Sequence, residues 1–460
     1  MLQKTTIGML PEDILLEIFD FYRLDAMKES RQLPWKWHRL AHVSRKWRHV
    51  ISVSPRRLDL RILCEYGAPI EGILGSWSTL PLFVQYNNPR STSKSKSLPN
   101  NMIIVALHHP GRVYGIDLVL PSSLAGPIAK AIQEPLQALE CIRITVENAT
   151  GPPMIVREAF LGGSTPHLRE IKLDGIAIPF PQIRQVLLST NNLVELHLAS
   201  IPNDVYFSPN DLATGLSALV RLNRLMVGFL SPASRPPPSM TRVPSQRTII
   251  PSLTSLNFHG AGEYLEELVA RIDLPALCEI NILFFNDIFF EVPRFCQIIP
   301  RLNVLRGSPT WVTVKHSMES VAVRFFEQGK TSENCFLETS CGRLDWQLSF
   351  ATQILNQLPP LSDVCLLNIH KDGELPTVED GDTTQWLEFF QPFTHVTQVH
   401  VWENRLVPGI VRALVTEDTV LPSLALLHLS EYRDSPSLRK AAEQFVVTRG
   451  LSGHTVQLME

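Results

Sequence analysis

The chain has 460 residues and a formal net charge of −3, with a pI near 6.5. That length allows a large core and more than one structural unit. The near-neutral balance excludes the strong basic field of a typical nucleic-acid binder.

The first predicted elements are two amphipathic helices. Leu10-Pro11-Glu12-Asp13 opens the first, with Pro11 suited to a helix start and Glu12 and Asp13 against its positive end. Ile14, Leu15, Ile18, Phe19 and Tyr22 then recur at helical spacing. Leu40, Val43, Trp47 and Val50 form a second stripe, flanked by Arg45, Lys46, Arg48 and His49. Two helices this short cannot bury both stripes on each other, so a further body must cover them.

Leu10-Pro11, the acidic pair, the Leu/Ile-rich helix and Val43-Ser44-Arg45-Lys46-Trp47 together resemble the F-box, over roughly residues 8–52. The run Ser54–Leu60 is similar to the large set of such proteins in mushroom-type fungi. One departure is the segment Asp25–Trp37, longer than the usual connection and carrying Pro34. The resemblance implies docking on the Skp-type adaptor of a cullin–RING (SCF-type) ubiquitin ligase. It maps the adaptor contacts onto Leu10, Pro11, Ile14, Leu15, Ile18, Val43 and Trp47, with Trp47 the leading hot-spot candidate.

Residues 54–101 are expected to be a connecting segment, ending in a mobile polar loop at Asn87–Asn101. From residue 102 to 460 a repeat takes over, apolar-x-x-apolar-x-apolar. Clear copies are Val113…Ile116-x-Leu118, Leu139…Ile142-x-Ile144, Leu168…Ile171-x-Leu173, Leu193…Leu196-x-Leu198 and Leu222…Leu225-x-Val227. They continue with Leu253…Leu256-x-Phe258, Leu277…Ile280-x-Ile282, Val396…Val399-x-Val401 and Leu424…Leu427-x-Leu429. Weaker copies are Met318…Val321-x-Val323 and Leu361…Val364-x-Leu366. The first intervals are 26, 29, 25, 29, 31 and 24 residues, close to the ~20–29 of leucine-rich repeats.

The x-apolar-x-apolar core fits a short strand, and helix-like runs lie between copies at Ile183–Leu188, Leu212–Leu219, Leu265–Ile272, Phe350–Leu358, Trp386–Phe390 and Ile410–Val415. Leu438–Arg449 reads as a closing helix. The fold class expected is therefore α/β: an all-α F-box hairpin at 1–53, then an irregular leucine-rich-repeat solenoid, curved, with parallel strands on one face and helices on the other. The array lacks the regular Asn of that repeat family. Two insertions interrupt it: a Pro/Ser-rich stretch at Ser231–Gln246, and the acidic His370–Thr384 with Asp372, Glu374, Glu379, Asp380 and Asp382.

A search for chemistry finds little. Gly329-Lys330-Thr331 resembles the end of a phosphate loop, but Arg324 stands where its first Gly is required. Cys335 and Cys341 have no matching pair for a zinc site. His108, His109, His197, His259, His400 and His428 are read as strand or strand-edge residues, and Glu266-Glu267 and Glu417-Asp418 as ordinary surface or helix-end charges. The seven scattered cysteines suit a reducing compartment. Glu12, Asp13 and Glu17 interrupt any secretory pattern. The longest apolar run, Ile280–Phe290, is broken by Asn281, Asn286 and Asp287, short of the ~18 residues a membrane helix needs.

The expectation is a non-catalytic receptor, cytoplasmic and/or nuclear. It would bind an adaptor, and through it cullin, at the N-terminus and a protein substrate on the repeats, without cofactor, metal, nucleic acid or membrane. The alternative is a repeat scaffold whose vestigial F-box acts outside ubiquitin transfer.

Overall fold

The computed structural model describes residues 10–29, 38–54, 62–64, 74–75, 80–87, 100–147, 154–156, 159–232, 247–285, 293–298, 310–326, 335–340, 343–357, 361, 363–371, 383–402, 405–417, 419–430 and 435–459. Most of both insertions, Pro34, Gly329–Thr331, Cys341 and residues 55–60 lie outside them. Two compact units divide the chain, Met1–Leu193 and Val194–Glu460. The borders expected near residues 53 and 101 both fall inside the first unit.

The first unit begins with three helices, α1 (Glu12–Glu29), α2 (His38–Ala41) and α3 (Arg45–Val53). A parallel ladder follows in chain order: β1 (Ile62–Cys64), β2 (Leu82–Asn87), β3 (Val113–Pro121), β4 (Cys141–Glu147) and β5 (Glu170–Asp174). Helices α4 (Asn100–Leu107), α5 (Ser122–Ala131) and α6 (Phe180–Ser189) alternate with the later strands. Side chains alternate across a strand, so Ile142 and Ile144 are buried while Arg143 and Thr145 stay half-buried on the other face.

The ladder thus starts before residue 102, within the segment expected to be a connection. Leu82 pairs with Val113, and Phe83 skips to Gly115, so Tyr114 is the extra residue of a bulge. Leu82-x-Val84-x-Tyr86 is therefore one residue short of the repeat pattern, which hid it. The loop expected at Asn87–Asn101 is bounded by structure: Asn87 ends β2 and Asn100 begins α4.

The second unit carries β6 (Glu195–Ile201), α7 (Pro209–Leu216), β7 (Arg224–Phe229), β8 (Ser255–Gly260), α8 (Gly262–Val269), β9 (Glu279–Phe284) and α9 (Pro293–Ile298). Next come β10 (Trp311–His316), β11 (Ser320–Phe326), β12 (Cys335–Ser340) and α10 (Leu344–Gln357). It ends with β13 (Leu366–Lys371), α11 (Thr383–Phe390), β14 (Gln398–Val401), α12 (Val407–Thr416), β15 (Leu426–Leu429), α13 (Pro436–Leu451) and β16 (Gln457–Met459). The strands lie in the order β6-β7-β8-β9-β12-β11-β10-β13-β14-β15-β16. Each helix from α7 to α13 packs on the next in chain order, so a helical layer accompanies the ladder. Local signals explain several starts: Ser208 and Asp211 form a capping box at α7, with Pro209 in its first turn.

In every clear copy the leading residue and the apolar pair are buried, from Val113, Ile116 and Leu118 through Leu424, Leu427 and Leu429. Two weaker copies are corrected. Val321 and Val323 belong to β11, which runs antiparallel to both β10 and β12 and is no repeat strand. Leu366 is only the first residue of β13, whose Leu367 and Ile369 pair with Val399 and Val401. The true copy is Val364…Leu367-x-Ile369, three residues later than expected. Alternation marks a strand but not its direction, and a string of leucines leaves the frame ambiguous.

Candidate functional site

The N-terminal helices explain the motif residue by residue. Ser44 caps α3, its hydroxyl accepting from the Trp47 N–H at 3.1 Å. Lys46 Nζ donates to the Leu10 carbonyl at 2.8 Å, tying the two motif halves together. Arg48 Nε donates to the Ala41 carbonyl at 3.1 Å and secures α2. The Pro11 carbonyl accepts from Leu15 N–H and starts α1. Leu15, Leu16, Phe19, Trp47, Val50 and Ile51 are buried.

The seven expected adaptor contacts are therefore not equivalent. Leu15 and Trp47 are turned inward, Trp47 being only 7% exposed, and the Trp47 ring is occupied by the helices themselves rather than offered as an anchor. Leu10 is half-buried and Pro11 exposed. Ile14 (43%), Ile18 and Val43 are exposed. Phe21, 75% exposed, and Tyr22 extend the stripe of Ile14 and Ile18 along α1. Phe21 was not singled out from the sequence, although its spacing from Ile14 and Ile18 is helical.

On the half-buried face of the first ladder, Arg143 bonds Glu170 through both Nε and Nη2 and also reaches Asp117 Oδ2 at 3.3 Å. Lys172 Nζ joins Glu170 at 3.0 Å. Burial raises the Glu170 pKa, but Arg143 and Lys172 outweigh it and hold the carboxylate below its ordinary value. These pairs brace neighbouring strands.

Among the described residues, no group of three or more His, Cys, Asp or Glu side chains could hold a metal ion. Cys64 and Cys141 have thiols pushed up to about 11, chiefly by burial, the reverse of an activated nucleophile. Glu266 and Glu267, expected to be surface or helix-end charges, have specific partners. Glu266 accepts the Arg294 and Phe295 N–H groups at the start of α9, and Glu267 pairs with Arg271 at 2.7 Å. His316 is fully buried, its Nδ1 2.9 Å from Gln347 Oε1, while Gln347 Nε2 donates to the Ser317 carbonyl. No helix among the described residues is long and apolar enough to cross a membrane.

No family model matches the chain, and no curated protein sequence matches it. Among solved structures it is similar to the crystal structure of the leucine-rich repeat-containing protein LegL7 from Legionella pneumophila. The identity is 13% and the TM-score 0.27, over 86% of this chain and 98% of that one.

Proposed function

We propose that this chain is a non-catalytic protein-interaction subunit of the F-box type, a substrate receptor in a cullin–RING ubiquitin ligase. Its N-terminal helices take a Skp-type adaptor, through it cullin, and the strand–helix ladder takes a protein substrate. The observation that carries this reading is the stripe of Ile14, Ile18, Phe21 and Tyr22. It lies uncovered on α1, while Lys46, Ser44 and Trp47 are used to hold the helices in place. Apolar area of this kind, held on a fixed scaffold, is what an interface core is made from.

The test is capture of purified Skp-type adaptor by the full chain. Ile14→Ala/Ile18→Ala should abolish capture with an unchanged melting curve, because both side chains are already exposed. Leu10→Ala/Pro11→Ala serves as a second pair. Capture that survives in a folded Ile14→Ala/Ile18→Ala variant would remove the adaptor from the proposal. It would leave the scaffold reading, in which the helices act outside ubiquitin transfer.

A further inference from the structure

Neighbouring strands at the C-terminal end of the ladder place a row of donor side chains at matching positions. Asn368 of β13 pairs with His400 of β14, His400 with His428 of β15, and His428 with Met459 of β16. The residues on either side of the first three, Leu367, Ile369, Val399, Val401, Leu427 and Leu429, are buried in the core. Alternation therefore turns Asn368, His400 and His428 to the opposite, half-buried face. Trp402 follows β14, and its N–H donates to the Ile369 carbonyl. Its indole, 48% exposed, meets His400 edge-on at 6.0 Å and lies 4.9 Å from His428. His370, two residues beyond Asn368, stacks on that indole at 5.7 Å and belongs to the next layer along the strands.

Asn368 Oδ1, His400 Nε2 and His428 Nδ1 are shielded from solvent and take no hydrogen bond among the described residues. Three such atoms in consecutive register positions need a common explanation. Each can offer a lone pair. The two imidazole centroids are 5.5 Å apart. With metal–nitrogen bonds of about 2 Å, imidazoles that share one ion have centroids roughly 5 Å apart, so small side-chain rotations suffice. Metal binding needs the neutral ring, and burial, then His428, holds the His400 pKa below its ordinary value.

The donor set also selects the ion. Calcium and magnesium want carboxylates, and this row has none. Zinc takes three or four protein ligands, and the row supplies two imidazoles. Among divalent first-row ions copper binds nitrogen donors most tightly, and a thioether such as that of Met459 is a ligand copper accepts.

We propose that His400 and His428 hold a copper ion on this face, with Asn368 Oδ1 and the Met459 thioether as flanking donors. The ion crosslinks β14 and β15 beside the exposed indole of Trp402. This assignment does not depend on adaptor binding, and neither reading falls with the other.

The experiment is titration of the full chain with Cu(II) against glycine as competing chelator, followed by indole emission and electron paramagnetic resonance. The wild type should take up a single tight equivalent whose spectrum carries splitting from two imidazole nitrogens. His400→Gln/His428→Gln changes a half-buried face, so it should keep the native melting curve while weakening uptake by at least about tenfold. Trp402→Phe should keep the ion but lose most of the copper-dependent quenching, because the ion lies beside that indole. Cys365→Ser, which removes an exposed thiol, should change nothing. Zn(II) at the same free concentration should bind more weakly. Unchanged uptake in a folded His400→Gln/His428→Gln protein overturns the proposal, as does loss of uptake in Cys365→Ser. A wild-type spectrum without imidazole nitrogen overturns it whether or not the variants fold, and zinc held as tightly as copper overturns the choice of metal.

Discussion

Phe19 of α1 and Trp47 of α3 meet edge to face, with ring centroids 4.9 Å apart and planes at 62°. This contact joins the two stretches that the sequence pattern paired. Trp47→Ala removes the largest buried side chain that α3 contributes. It should cost about 3–5 kcal/mol in the stability of the helical module. Near-ultraviolet circular dichroism would register the loss of the packed indole, and adaptor capture would fall only because the helices melt. A Trp47→Ala protein with native melting and lost capture would instead mean that the ring faces the adaptor.

Ser44→Ala tests a smaller piece of the same design. The Ser44 hydroxyl is the acceptor for the Trp47 N–H at the start of α3. Its removal should cost about 1 kcal/mol, while Ser44→Thr, which keeps an oxygen there, should lie close to wild type. Urea unfolding followed at the helical signal separates the two.

Gly115 is tied to the bulge between β2 and β3. A Cβ there would stand 2.5 Å from Phe83 Cδ2 and Cε2 and 2.9 Å from Cys141 Sγ. Gly115→Ala must push aside the half-buried Phe83 ring and the Cys141 side chain on the neighbouring strands, at a cost of about 1–3 kcal/mol. Gly111→Ala, which meets nothing within 4 Å, should fall within about 0.5 kcal/mol of wild type. Denaturant midpoints of the two variants give the comparison.

His316 makes the second unit sensitive to acid. Burial first, opposed by the Gln347 bond, lowers its pKa from 6.5 to about 4. The folded state therefore keeps the imidazole neutral where the unfolded chain would protonate it. Its contribution is whole above about pH 6.5 and is lost as pH falls toward 4, on the order of 3 kcal/mol in all. Urea midpoints at descending pH should drop in the wild type through that window. His316→Gln, which cannot titrate, should lack this part of the drop, so the gap between the two proteins should narrow.

Much of the ladder was legible because its physics is local. An apolar pair one residue apart, with a third three residues earlier, buries one side of a strand, and Ile280 and Ile282 on β9 are read as easily as Ile142 and Ile144 on β4. Helices with an aliphatic stripe, such as Ile410 to Leu414 in α12, were equally plain. What escaped depends on distant partners. Nothing in Val321 and Val323 states that β11 reverses, since direction is set by β10 and β12 on either side. Helix α5, Ser122–Ala131, has Gly126 and Pro127 inside it and too few large apolar residues to announce itself.

The candidate surfaces were less legible for the same reason. Spacing put Leu15 and Trp47 in their helices, but only packing decides that they face inward while Ile14 and Val43 face out. His400 and His428 could be matched by repeat position. The place of His370 and Trp402 beside them comes from strand register alone.

The reversed strand also governs how the second unit can be assembled. A stack of parallel repeats can grow by adding each new strand to the one before it. Here β10 cannot settle on β9, because β12 occupies that edge, and β12 is made last of the three. Strand-by-strand growth from the N-terminal side therefore waits at β9 until β12 has been made. The next parallel strand, β13, takes its place not on the newest strand but on β10, the one of the three that lies farthest from β9.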